Sequence, residues 1–148
     1  MDVTDALLGE HGVFYLLIEQ LDDAVDRLET LPELRAATAP LAISLLAHAR
    51  IEEDVIFGRL EKTIGLQGPL HCLQDDHNDM DQKLRELFTI DDPLALKAAV
   101  REILETARKH FAKEEQVLFP VARRTFDVER RKHLGEHWAK FRGITLAE

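Results

Sequence analysis

A single cysteine, Cys72, stands among 148 residues, so no disulfide can form within the chain. That agrees with a reducing compartment. Glycine is sparse at seven residues, there is one tyrosine, and β-branched runs are few, all of which argue against a sheet protein. No apolar run approaches the ~20 residues that a membrane-spanning helix needs. The start, Met1-Asp2-Val3-Thr4-Asp5, carries no basic segment followed by an apolar one, so no signal peptide is expected. These absences lead to the expectation of a cytoplasmic protein without a membrane partner. A cationic surface is missing too. The net charge of −9 disfavours a nucleic-acid partner. The Arg123/Arg124 and Arg130/Arg131/Lys132 groups read as a solvated helix face. Neither His-Glu-x-x-His nor Glu-x-x-His occurs at the candidate positions, which removes the zinc-protease reading and makes the ferritin-like di-iron class a poor fit. No conventional nucleophile or acid/base pair is evident, so any catalysis would belong to a metal.

What the chain does have is helical periodicity almost throughout. A first helix is expected from about Asp2 to Thr30, with Leu7, Phe14, Leu17, Ile18, Leu21, Val25 and Leu28 on one stripe and Pro32 breaking it. A second is expected from about Pro40 to Ile64, with Pro32 to Thr38 as a short separate turn. Gly65 suits the residue after its end. A third runs from about Pro69 to Phe88. Asp92-Pro93 reads as a cap and first residue opening a fourth helix to about Thr125, kinked at Pro120. A fifth, about Val128 to Phe141, closes the chain. Short connections imply antiparallel neighbours. The expected fold is all-α: one domain over 1–148, an up-down-up-down four-helix bundle over about 3–125, and a short C-terminal helix within an appendage over about 127–148.

Two segments are nearly the same: His48-Ala-Arg-Ile-Glu52-Glu53-Asp-Val55-Ile56-Phe57 and His110-Phe-Ala-Lys-Glu114-Glu115-Gln-Val117-Leu118-Phe119. Residues four apart share a helix face, so His48 and Glu52 project together, as do His110 and Glu114. His11 precedes the first segment by 37 residues and His77 precedes the second by 33, so the chain is two similar αα-hairpins. Each of the four helices thereby places one histidine on its apolar stripe, and two add a carboxylate. Unpaired buried polar groups cost a few kcal/mol each, and buried charges more. A metal accounts for all six at once. One histidine on an apolar face is ordinarily a satisfied core residue; four, with two matched carboxylates, point to a binuclear site of mixed nitrogen and oxygen ligands. Such ligands suit Fe, Mn or Zn better than Ca or Mg.

The order His, His-x3-Glu, His, His-x3-Glu resembles the hemerythrin-like, or HHE cation-binding, family over roughly residues 3–125. Glu-Glu-x-x-Leu-Phe-Pro at Glu114 to Pro120 is also typical of it. The resemblance implies a bridged non-haem centre of two iron ions, with Mn or Zn as substitutes. By carry-over His11 and His48 would hold one ion, His77 and His110 the other, and Glu52 and Glu114 would bridge them. It further implies binding or sensing of O2 or a related small ligand such as peroxide or nitric oxide. The alternatives are a metal-dependent enzyme that decomposes peroxide or nitric oxide, and an iron or O2 store. Oxygen-carrying members have two histidines four apart on the third helix. Here Leu73 and Asp81 flank His77 at those positions, which puts reversible O2 carriage in doubt. Asp81 is a substitute ligand or, by the blander reading, faces solvent. In some members the second carboxylate lies five residues after its histidine, which makes Glu115 the alternative to Glu114. Otherwise Glu53 and Glu115 are acceptors behind the ligands, or surface charges. Cys72 reads as a small buried hydrophobe, His133 and His137 as packing beside Trp138, and Tyr15 as core.

Overall fold

A computed structural model describes residues 1–65 and 67–145; the last three residues of the expected appendage lie outside them. Every regular element among the described residues is helical.

Helix α1, Val3–Val25, opens on Asp2, whose side chain accepts from the Thr4 N–H. It ends five residues short of the expected Thr30. Helix α2, Leu31–Glu52, starts well before the expected Pro40. Thr30 and Glu33 form a capping box, and Pro32 sits in the first turn, where no N–H is required. Pro40 lies inside the helix on its exposed side. Leu34, Thr38, Leu41 and Leu45 are buried at helical spacing on both sides of it, and this continuous stripe overrides the roughly 3 kcal/mol that an interior proline costs.

After Glu52 the chain widens into a π turn, Glu53–Phe57, in which the Gly58 N–H reaches back five residues to the Glu53 carbonyl. Helix α3, Gly58–Ile64, then ends at Gly65, whose φ of 72° favours glycine. Helix α4 covers Pro69–Glu86 and closes in a 3-10 turn at Leu87–Thr89. Helix α5, Pro93–Lys113, is capped by Asp92 through the Ala95 N–H, as expected. A second π turn, Glu114–Leu118, joins it to α6, Phe119–Thr125. The irregularity expected at Pro120 thus begins one turn earlier. Pro120 has no N–H for the carbonyl four residues back, and the wider turn falls where that bond would be. Helix α7, Val128–Phe141, is capped by Asp127.

The core has two apolar clusters. One gathers Leu7, Val55, Phe57, Leu60, Leu73, Leu118 and Phe119. The other gathers Phe14, Ile18, Leu41, Leu45, Met80, Leu84, Ile103, Ala107 and Phe111. Helices α1 and α4 run from the first cluster to the second, while α2 and α5 run from the second to the first. Each passes from one cluster to the other near its histidine, α5 only beyond it, where Leu118 of the following π turn joins the first cluster. The six candidate residues therefore form a polar layer between two apolar layers.

Helix α7 is more than an appendage. Leu134, Trp138 and Ala139 belong to the first cluster, with Leu7 and Val55. A Cβ on Gly135 would collide with the Met1 carbonyl oxygen, so only glycine lets α7 cross the chain start this closely. Leu17, expected on the buried stripe of α1, is 37% exposed. No helix among the described residues is long and apolar enough to cross a membrane.

Candidate metal centre

The polar layer is buried. His11, Glu52 and Glu114 are 0% exposed, His48 and His110 2%, and His77 6%. Sequence spacing alone placed these six on inward stripes, and the fold brings all six together. They form two overlapping groups: His11, His48, Glu52 and Glu114, and Glu52, His77, His110 and Glu114. Within each group one atom from every residue lies within 4.8 Å of all the others.

The two carboxylates face both groups. Glu52 Oε1 lies 3.4 Å from His48 Nε2 and 3.9 Å from His11 Nε2, while Glu52 Oε2 lies 3.3 Å from His77 Nε2. Glu114 Oε2 lies 3.3 Å from His11 Nε2. Glu114 Oε1 lies 3.1 Å from His77 Nε2 and 2.8 Å from His110 Nε2. His11 Nε2 and His48 Nε2 are 3.2 Å apart. Donor atoms about 2.1 Å from a shared ion, at angles near 90–110°, lie about 3.0–3.4 Å from one another. Most of the observed separations fall close to that range.

Hydrogen bonding leaves much of this layer unsatisfied. Both Glu52 oxygens, Glu114 Oε2 and both nitrogens of His110 are buried without a hydrogen-bond partner among the described residues. The 2.8 Å approach of His110 to Glu114 therefore lacks hydrogen-bond alignment. Native interiors rarely leave such groups unpaired. Four of these five orphaned atoms, all but His110 Nδ1, face the cluster and fit cations of borderline character.

The electrostatics agree. Burial opposes charge on Glu114, yet the imidazoles of His11, His110 and His77 hold its pKa well below the usual carboxylate value. Burial and repulsion from Glu114 oppose charge on Glu52, but His48 and His77 lower its pKa overall. Burial would lower the pKa of His48, but Glu52 and Glu10 raise it to about 10. His77 rises to about 9 against its burial, through Glu114 and Glu52. The carboxylates are thus held anionic, the state in which they bind metal.

The flanking residues are now placed. Glu115 accepts from His11 Nδ1 at 3.0 Å and from the Tyr15 hydroxyl at 3.1 Å, so it stands behind a histidine, while Glu114 lies in the cluster. The Tyr15 contact also raises its phenol pKa to about 12, after burial. Asp81 is half-buried at the surface and bonded to Arg85. Glu53 is exposed. Cys72, expected to be buried, is exposed, because it lies off the stripe defined by Leu70, Leu73 and His77. His133 is exposed beside Glu136, and His137 lies 3.5 Å from Asp54 and against Phe141.

Sequence reasoning missed two residues. Glu10 Oε2 lies 2.6 Å from His48 Nδ1, and its carboxylate also accepts from Trp138 Nε1 and Arg142. Phe111 stacks on the His11 ring at 4.2 Å and meets His48 edge-on. Their adjacency to His11 and His110 was the available signal.

Such a layer within an all-helical core fits a metal-binding helical protein. Residues 2–93 match the family model described as Hemerythrin HHE cation binding domain, and the chain belongs to that family. The matched span holds His11, His48, Glu52 and His77; His110 and Glu114 join them through the fold. A protein named DNA nickase from Nostoc sp. (strain PCC 7120 / SAG 25.82 / UTEX 2576) is 26% identical over 141 residues. The alignment covers 94% of this chain and 37% of that protein's length. No solved structure matches the chain.

Proposed function

We propose that the chain holds two iron ions and binds a small ligand such as O2, peroxide or nitric oxide at them. His11 and His48 would hold one ion, His77 and His110 the other, with Glu52 and Glu114 shared. The observation that carries this reading is the division of each carboxylate between the two groups, one oxygen turned to each. The alternating passage of the four histidine helices between the apolar clusters supports an up-down-up-down bundle, with α7 as a fifth helix packed on it.

Iron at this site would supply redox chemistry and open coordination positions. The protein contributes the enclosure. Phe111, Phe14 and Phe57 pack on the imidazoles and exclude water. Leu73, one turn before His77, is buried and apolar where another imidazole could stand. With six protein ligands each ion keeps room for a small molecule, and among the described residues nothing beside it replaces the missing imidazole. We therefore favour fast oxidation and reaction with peroxide or nitric oxide over reversible carriage. Sensing through such a reaction, enzymatic decomposition of peroxide or nitric oxide, and storage share this site.

The relative's name raises DNA as a partner. A net charge of −9 makes this chain a poor surface for a polyanion. We propose that the likeness concerns the helical framework and not action on DNA.

The test is stopped-flow mixing of the reduced, iron-loaded chain with O2, followed by its visible spectrum. The reading predicts rapid, irreversible oxidation, and slower oxidation in Leu73→His. A spectral change in the unsubstituted chain that reverses under vacuum would favour carriage instead.

A further inference from the structure

The four imidazoles differ in what stands behind them, and this difference bears on the two ions of the reading above, on which the inference rests. A metal-bound imidazole ordinarily gives its remote N–H to an acceptor, which fixes the ring and raises its basicity. On one side this is complete. His48 Nδ1 is 2.6 Å from Glu10 Oε2. Glu10 is clamped in turn by Trp138 Nε1 at 2.8 Å and by Arg142 Nε and Nη2 at 2.6 Å each. His11 Nδ1 is 3.0 Å from Glu115 Oε1, which Tyr15 also holds.

On the other side the support is absent among the described residues. His110 Nδ1 is buried and unpartnered. The carboxylate of Asp76 is 3.8 Å from it, beyond hydrogen-bond reach, and is taken by Lys113 at 2.6 Å. His77 bonds only through Nε2. It is also the most exposed of the six residues. It lines a surface groove with Arg50, Gln74 and Asn78.

We infer that the two metal positions are unequal. The His11/His48 position is the tight one, with Glu10 and Glu115 as positioning residues. The His77/His110 position is weaker and exchangeable, and it lies beside the groove that His77 lines. Helix α7 takes part, because Trp138 and Arg142 fix Glu10. The doubled sequence motif gives no hint of this asymmetry: Glu115 has a sequence counterpart in Glu53, which is exposed.

The metal-free full chain is titrated with ferrous iron under anaerobic conditions against a competing chelator, while Trp138 emission is followed. Trp138 is the sole tryptophan. Two steps are expected, separated by at least about tenfold in affinity. The first should carry most of the emission change, because Trp138 donates to the carboxylate that holds His48. Glu10→Gln and Glu115→Gln should each weaken the first step by about 10–100-fold and leave the second unchanged. Asp76→Asn should alter neither. Glu10 is not among the six candidate ligands, so its effect reports positioning, and recovery of the first step in Glu10→Asp would reinforce it.

Equal affinities for two ions would overturn the inference while sparing the two-ion reading. So would an emission change that follows the second equivalent, or a Glu10→Gln chain that loses only the weaker step. No uptake at all would overturn both. Should a substituted chain fail to fold, the order of affinity and emission in the unsubstituted chain still decides.

Discussion

Glu52 and Glu114 make the greatest demand of any residues here. Both are fully buried, both are held anionic, and their oxygens are only partly paired. Removing one partner of a buried charged group usually costs about 3–5 kcal/mol, whereas a cation that satisfies it restores the balance. His48→Ala should therefore weaken one metal position and leave the other partly filled. Glu52→Ala should weaken both. Equilibrium metal binding checks this, and equal, small effects from the two substitutions would show that Glu52 is not shared. The six core positions were legible because a histidine or glutamate recurring on an apolar stripe conflicts with the stripe. Glu10 was not legible in its role, and Glu115 was readable as an acceptor behind the ligands but not as the partner of His11, since their partners lie 38 and 104 residues away and only packing makes them neighbours. Cys72 misled for a related reason: residue type favours burial, but its angular position on α4 puts it outside.

At the scale of elements, the start of α4 was readable from Pro69 and that of α5 from Asp92-Pro93. The start of α2 was misread because Pro32 and Pro40 look like breaks, while the capping box Thr30-x-x-Glu33 pointed the other way. Thr30→Ala should destabilise the fold by about 0.5–2 kcal/mol, seen as a lower denaturation midpoint with an unchanged slope. An unchanged midpoint would mean that the stripe from Leu34 to Leu45 holds this end unaided. Gly135→Ala should do more harm, because its methyl would meet backbone and not a movable side chain. The π turns were invisible to a 3.6-residue pattern. They allow Val55, Ile56 and Phe57, consecutive in sequence, to be buried together, with α7 packed against that turn.

For the whole molecule, a polar layer between two apolar clusters makes stability depend on pH and on metal. Glu10 is held down to about 2 against its burial by His48 and Arg142, from an ordinary 4.5. Its contribution is present above 4.5 and is lost as pH falls toward 2. His48 and His77 are raised from 6.5 to about 10 and about 9. Their contribution is full below 6.5 and is lost as pH rises through 9 to 10. The metal-free chain should therefore melt at lower temperature at both extremes. The loaded chain should keep its stability on the alkaline side, because a coordinated imidazole has no such proton to lose. Melting curves across pH, with and without iron, check both limbs. Identical curves would count against a buried site, since binding to the folded state alone must raise stability.

The central claim is that two ions share Glu52 and Glu114 within one chain. Metal analysis of the iron-loaded protein, joined to X-ray absorption at the iron edge, tests it most directly. The account predicts about two irons per chain, each with nitrogen and oxygen neighbours and with a second iron about 3.5–4 Å away. A well-folded chain that takes up no iron, or binds a single ion with no iron neighbour, would contradict it.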